Sequence, residues 1–164
     1  MRILGIDPGS RITGFGVVNV LRNGKVVYVA SGCVRVGKGA LGERLKIIYD
    51  GVDEIIRTYQ PTAIAIEKVF MAKNADSALK LGQARGMALL APALKGLAIA
   101  EYPPNVIKKT VTGTGHGEKR QIAAMVGFLL PKAKFESADE ADALAIAICH
   151  AHHRSSALLK VAAS

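Results

Sequence analysis

Residues 3–10 read Ile3-Leu4-Gly5-Ile6-Asp7-Pro8-Gly9-Ser10, and residues 14–18 read Gly14-Phe15-Gly16-Val17-Val18. An apolar run ends in one carboxylate, Pro8-Gly9 turns the chain, and a second apolar run returns. The pattern predicts a buried strand, a tight turn and an antiparallel partner. Asp7 stands at the open end of the first strand, the one position of that run where a charge reaches solvent.

Working outward, residues 2–7 and 13–20 form the first two strands. Asn23-Gly24 is a hairpin turn signal, and it leads into a third strand over residues 25–36. Residues 41–59 put Leu41, Leu45, Ile48, Val52, Ile55 and Ile56 at helical spacing, and Gln60-Pro61 stops that helix. Then Thr62-Ala63-Ile64-Ala65-Ile66-Glu67 repeats the opening design, an apolar strand ending in a carboxylate. A polar loop over residues 68–74 follows, and then a long helix from near Asp76 to Leu94.

On that helix Ala78, Gly82 and Gly86 recur every four residues, a small face that admits a close neighbour. The neighbour is either the helix's own sheet or a second subunit. Pro92 kinks or ends the helix. Residues 97–100 read as a short buried strand. Pro103-Pro104 opens a helix through Val111, residues 112–117 form a glycine loop, and residues 118–130 another helix. Ser137 caps a last helix, with Glu140 completing a capping box. The order predicts an antiparallel meander followed by crossover units, hence an α/β fold with a mixed sheet flanked by helices. Right-handed crossovers place the second carboxylate strand parallel to the first and next to it.

The chain has 164 residues, enough for one domain with a real core. We assign residues 1–155 to that domain and residues 156–164 to a flexible tail. No apolar run reaches the length of a membrane span. The start reads directly into a strand, without a signal-peptide pattern. Cys33 and Cys149 lie far apart without metal-like spacing, which fits a reducing, cytoplasmic setting. The formal charge is +9, from 22 Lys and Arg against 13 Asp and Glu. Such an excess points to a polyanionic partner, most often nucleic acid.

Four acids stand out. Asp7 and Glu67 end strands that emerge at one sheet edge if they are adjacent. Asp139 and Asp142 are three apart at the start of a helix and share a face. Each has an ordinary structural role as well: Asp7 as a turn residue, Glu67 as a surface acid, the helix pair as complements of the helix dipole. Two strands ending alike in a basic chain weigh against all four being ordinary. Four converging carboxylates repel unless a cation sits among them, and hard oxygen donors favour Mg²⁺, with Mn²⁺ substituting.

A metal cluster in a basic protein points to phosphoryl chemistry. Lys108, Lys109, Lys119 and Arg120 flank the glycine loop and are candidates for holding backbone phosphates, although each fits a solvated basic face equally well. Phe70, just past Glu67, is placed to wedge against or stack on a base, or to anchor its loop. Lys73 on the same loop joins the DNA-contact candidates. Residues 113–119 lack the Gly-Lys-Ser/Thr of a phosphate loop. Cys149, His150, His152 and His153 crowd one helix end and do not supply closed tetrahedral spacing.

The opening run, the block from Ile66-Glu67-Lys68-Val69-Phe70-Met71-Ala72-Lys73-Asn74 to Leu81-Gly82-Gln83-Ala84-Arg85-Gly86, and Asp139-Glu140-Ala141-Asp142-Ala143-Leu144-Ala145-Ile146-Ala147 together resemble the RuvC family of bacterial Holliday-junction resolvases. The similarity covers nearly the whole chain. It implies a ribonuclease-H-like five-stranded sheet, a homodimer with one active site per chain, and Mg²⁺-dependent paired nicking of four-way DNA junctions in recombination and repair. It implies catalytic carboxylates at Asp7, Glu67, Asp139 and Asp142, a base-stacking Phe70, and basic residues Lys108 and Lys119; we expect two Mg²⁺ per subunit at those acids. It also implies the partners RuvA and RuvB and a preference for thymine-containing sequences. Pro92 and Pro103-Pro104 depart from the pattern expected of the family.

The Asp7-Pro8-Gly9 hairpin also resembles the phosphate turn of actin-like and sugar kinases. Those proteins enclose a nucleotide between two such folds, and this chain offers one. A non-catalytic junction-binding protein is the other competing class, and four carboxylates facing phosphates would gain it nothing.

Overall fold

The computed structural model describes residues 1–69, 74–114 and 118–162; the side chains of Lys119 and of residues 155–162 are outside the description. In chain order the elements are β1 (Arg2–Asp7), β2 (Ile12–Val20), β3 (Val26–Arg35), α1 (Leu41–Tyr59), β4 (Ala63–Glu67), α2 (Ala75–Leu94), β5 (Ile99–Tyr102), α3 (Pro104–Thr112), α4 (Lys119–Leu129) and α5 (Ala138–Ala162). The strands form one sheet ordered β3-β2-β1-β4-β5. β1 pairs antiparallel with β2 and parallel with β4, and β4 pairs parallel with β5. The predicted mixed sheet with adjacent carboxylate strands is therefore present.

Side-chain alternation along the strands sorts the sheet into two unlike faces. Leu4, Ile6, Val17, Ile64 and Ile66 point one way, into a core closed by Ile48, Val52, Ile55 and Ile56 of α1 and Ala84, Ala88 and Ala91 of α2. Ile3, Val18 and Ala65 point the other way, against α3, α4 and α5. Gly5, Gly14 and Gly16 lie on this second face by the same alternation. Gly5 is paired with Gly16, and Gly14 with Asp7.

α5 uses the space those glycines leave. A Cβ on Gly5 would stand 2.1 Å from the Ala143 carbonyl oxygen, one on Gly14 2.2 Å from that of Asp139, and one on Gly16 2.7 Å from the Leu144 amide nitrogen. The helix backbone thus rests directly on the sheet backbone, with Ala143, Leu144, Ala145, Ile146 and Ala147 buried along the seam. Only glycine permits so close an approach.

The small face of α2 behaves otherwise. A Cβ on Gly82 or Gly86 would meet nothing within 4 Å among the described residues. The helix buries Ala84, Ala88, Ala91 and Pro92 instead. Among the described residues, Gly82 and Gly86 therefore do not serve packing on this chain's own sheet.

One strand boundary departs from the sequence reading. The fifth strand starts at Ile99 rather than Leu97. Leu97 is drawn into the end of α2, where Gly96, at φ 65°, donates to the Ala93 carbonyl and the Leu97 N–H donates to that of Pro92. Pro92 thus sits in the last turn, and α2 stops two residues later. The backbone of α5 continues as helix to Ala162, through most of the stretch read as a tail. None of the described helices is long and apolar enough to cross a membrane.

Candidate metal-dependent active site

Alternation carries from the core to the chemistry. Along β1 the residues facing α5 are Ile3, Gly5 and Asp7. Along β4 they are Ala65 and Glu67. The parallel register aligns Ile6 with Ile66, so Asp7 and Glu67 end neighbouring strands on the same face. Both are half-buried.

The glycine seam then sets what α5 brings to them. A cleft at this end of the sheet is lined by Asp7, Glu67 and Asp142, with Lys108 from α3. Its apolar walls are Pro104 and Ile107 of α3, Ile122 of α4, and Ala145 and Ile146 of α5. Three of the four acids singled out from sequence therefore share one cleft. Asp139 does not line it. It lies one helical turn earlier, its carbonyl oxygen over Gly14, and its charge contributes to raising the pKa of the Cys33 thiol, a shift that comes chiefly from burial. Among the described residues no three His, Cys, Asp or Glu side chains are grouped closely enough to hold a metal ion as placed.

The first turn of α5 is braced by Glu140, a buried carboxylate. Its oxygens accept hydrogen bonds from the Ser31 hydroxyl at 2.8 Å, the Ser137 hydroxyl at 3.2 Å and the Glu136 N–H at 3.4 Å. The Ser137 hydroxyl accepts from the Glu140 N–H at 3.2 Å, the forward half of the capping box read from sequence. Ser31 is on β3, so this network ties the helix start that carries Asp139 and Asp142 to the sheet.

Arg85 on α2 does the corresponding work for Glu67. Its Nε donates to the Glu67 carbonyl at 3.1 Å and its guanidinium pairs with Glu101 on β5. Sequence reasoning passed over Arg85 and the cleft walls. An arginine within a helical block carries no signal of the strand end it will reach.

The histidine tract has a structural use. His150 Nδ1 lies 2.8 Å from the hydroxyl of Tyr102, the β5 partner of Glu67. Burial first, then the nearby Arg154 and His153, pushes the His150 pKa below its ordinary value. Cys149 is buried beside Thr110 and His153.

Of the DNA-contact candidates, Lys108 lines the cleft, while Lys109 and Arg120 are exposed on α3 and α4 and are not among its lining residues. Lys119 is the first residue of α4. Phe70 and Lys73 lie outside the described residues.

Comparison with known proteins agrees with this geometry. The family model described as crossover junction endodeoxyribonuclease RuvC matches residues 3–150. A crossover junction endodeoxyribonuclease RuvC of Pseudomonas fluorescens is 61% identical over 156 residues, 95% of this chain and 89% of that protein. One from Stutzerimonas stutzeri is 58% identical over 154 residues, 94% of this chain and 88% of that protein. Among solved structures, Thermus thermophilus RuvC in complex with Holliday junction substrate superposes with a TM-score of 0.88 at 32% identity, covering 96% of each chain. The yeast mitochondrial Holliday junction resolvase Ydc2 shares the fold, with a TM-score of 0.70 at 11% identity over 93% of this chain and 80% of that one. The sheet and helices are those of a ribonuclease-H-like resolvase, and the chain belongs to the RuvC family of crossover junction endodeoxyribonucleases.

Proposed function

We propose that this protein is a structure-selective endonuclease that resolves four-way DNA junctions by paired, divalent-metal-dependent nicks in recombination and repair. The observation that carries this reading is the cleft itself. Carboxylates from β1, β4 and α5 face one opening beside Lys108, in a chain of net charge +9.

The donor set fits Mg²⁺ in kind: hard carboxylate oxygens from separate elements, with no soft ligand lining the cleft. Asp7, Glu67 and Asp142 would hold the ion, with Asp139 completing the set and Mn²⁺ substituting; we favour two ions per subunit. A divalent cation bound there supplies Lewis-acid polarisation of the phosphate and activation of the attacking water. The chain's own groups do the rest. Lys108 attracts and positions the phosphodiester at the cleft. Pro104, Ile107 and Ile122 restrict water around the reacting group, which strengthens electrostatic interactions inside. Glu140 and Arg85 keep the two acid-bearing backbone ends from drifting.

Phe70, Lys73, Lys109, Lys119 and Arg120 are proposed to contact the DNA around the cleft, Phe70 by stacking on a junction base. One acid set per chain makes one cut, so paired cuts call for two chains. A two-fold dimer through the open face of α2 would supply them. By family, RuvA and RuvB are the proposed protein partners, and the setting is the cytoplasm.

The test is incubation of purified protein with a labelled four-way junction and a matched duplex, with Mg²⁺ or with chelator. Paired cuts confined to the junction and dependent on the ion are expected. Equal cutting of the duplex would point to a general nuclease, and junction binding without cleavage under any divalent ion would favour an architectural protein.

A further inference from the structure

A second basic concavity opens on the other side of the sheet, at the same end as Asp7. It begins in the turn that follows Asp7. Ser10 and Arg11 line it together with Arg44 of α1. One branch runs to the Gly37-Lys38-Gly39 turn after β3. The other runs to Asp76, Ser77 and Lys80 in the first turns of α2, where Asp76 and Lys80 pair with each other.

Of the four cations lining it, Lys80 is ion-paired, with Asp76. Lys46, Arg57, Lys80, Arg85 and Lys95 are each ion-paired with a carboxylate. Arg11, Lys38 and Arg44 have no such pair among the described residues. Arg44 is fixed by donating from Nη2 to the Ser10 carbonyl at 2.7 Å, and its Nε is buried without a hydrogen-bond partner. Arg11 is anchored through its backbone, whose carbonyl accepts from the Val36 N–H at 3.0 Å, and this seats it beside the Lys38 turn. Three unpaired cations, one of them rigid, thus converge where the chain leaves the acid-bearing end of β1.

We propose that this groove, built by Arg11, Lys38 and Arg44, is a second DNA-backbone contact that holds a junction arm beyond the strand being cut; the proposal rests on the endonuclease reading. Groups spaced along a branching groove suit successive phosphates of a polymer better than one small anion. The groove also runs from the acid end of β1 to the start of α2, the helix whose open face is proposed to meet a second chain. Backbone contacts of this kind position the substrate without reading its sequence, and they add to affinity in a salt-dependent way.

The test is binding of a labelled four-way junction by the full chain, followed by fluorescence anisotropy over salt from about 50 to about 300 mM. The arms are the wild type, Arg11→Gln with Lys38→Gln, the charge-keeping Arg11→Lys with Lys38→Arg, and Lys46→Gln as a charge removed elsewhere. The neutralised pair is expected to bind about tenfold more weakly and to lower the slope of log Kd against log salt by roughly one to two. The charge-keeping pair and Lys46→Gln are expected to keep the wild-type slope. If the neutralised pair does not fold, as judged by circular dichroism, Lys38→Gln alone, in an exposed turn, is expected to lower the slope by about half as much. A neutralised pair with the wild-type slope, while the wild type binds and nicks the junction, overturns the groove and leaves the function standing. A charge-keeping pair as weak as the neutralised one also overturns it. A wild type that does not nick the junction overturns the endonuclease reading on which the groove rests.

Discussion

Gly5, Gly14 and Gly16 on the sheet and Gly82 and Gly86 on α2 are the same residue in opposite circumstances. The first three lie under α5, where an added methyl would collide with helix backbone at 2.1 to 2.7 Å. The other two face open space. The first set lets a helix lie on the sheet closely enough for its first turns to present carboxylates beside Asp7 and Glu67. The second set leaves a smooth helical face with no occupant among the described residues. One is built for the internal geometry of the active site and the other is available for association.

The largest effect should come from filling the seam. Gly5→Val forces α5 off β1 and is expected to cost more than about 3 kcal/mol, read as loss of a cooperative thermal transition. A melting temperature within two or so degrees of wild type would break the comparison. Gly14→Ala is gentler to the fold but pushes on Asp139 itself. Junction cleavage is expected to fall on the order of a hundredfold, since a misplacement near 1 Å suffices for that. Single-turnover rates alongside a urea melt separate the two effects.

Glu140→Ala removes the brace at the same helix start and the carboxylate that accepts from the hydroxyls of Ser31 and Ser137. We expect a loss of about 1–3 kcal/mol in urea unfolding, with Ser31→Ala giving part of it. On α2 the sign should reverse. Gly82→Ala or Gly86→Ala is expected to stabilise the fold by about 0.5–1 kcal/mol, because an open helical glycine carries only its entropic cost. The same variants should weaken self-association in sedimentation if a second chain packs there. Destabilisation in urea would show that these glycines have a close neighbour within the fold after all.

The smallest effect concerns pH. His150 is held neutral by burial, its pKa below the ordinary 6.5. The unfolded chain takes up that proton first, so the contribution to stability is full above about pH 6.5 and declines as the pH falls. A fall in melting temperature between pH 7 and 5.5 that is smaller in His150→Gln would show it.

Much of this architecture was legible because it is periodic. The turn at Asn23-Gly24, the helix over Leu41–Tyr59 and the two strands ending in carboxylates follow from residue spacing, and the parallel pairing of β1 with β4 follows from crossover handedness. The cleft was legible in part. Asp7 and Glu67 announce themselves by ending apolar runs, and Asp142 by its place on an apolar helix. What spacing does not encode is depth. Nothing local distinguishes a glycine under a helix from one facing solvent, so the seam and the open face of α2 read alike. Asp139 shares a helix face with Asp142 by spacing, and it lies a turn away from the residues that line the cleft. Leu97 misled because an apolar run preceding a strand looks the same whether it pairs in the sheet or closes a helix. Arg85 was invisible because its partner is a backbone carbonyl far along the chain.

The most direct test of the account is single-turnover cleavage of a labelled four-way junction by the wild type and by Asp7→Asn, measured with junction affinity under the same conditions. Affinity is expected to stay within about threefold, because Asp7 ends a strand and contributes no positive charge to DNA. The cleavage rate is expected to fall by on the order of a thousandfold, the loss of a proposed metal-holding carboxylate at the centre of the site. An Asp7→Asn protein that still cuts near the wild-type rate would contradict the account.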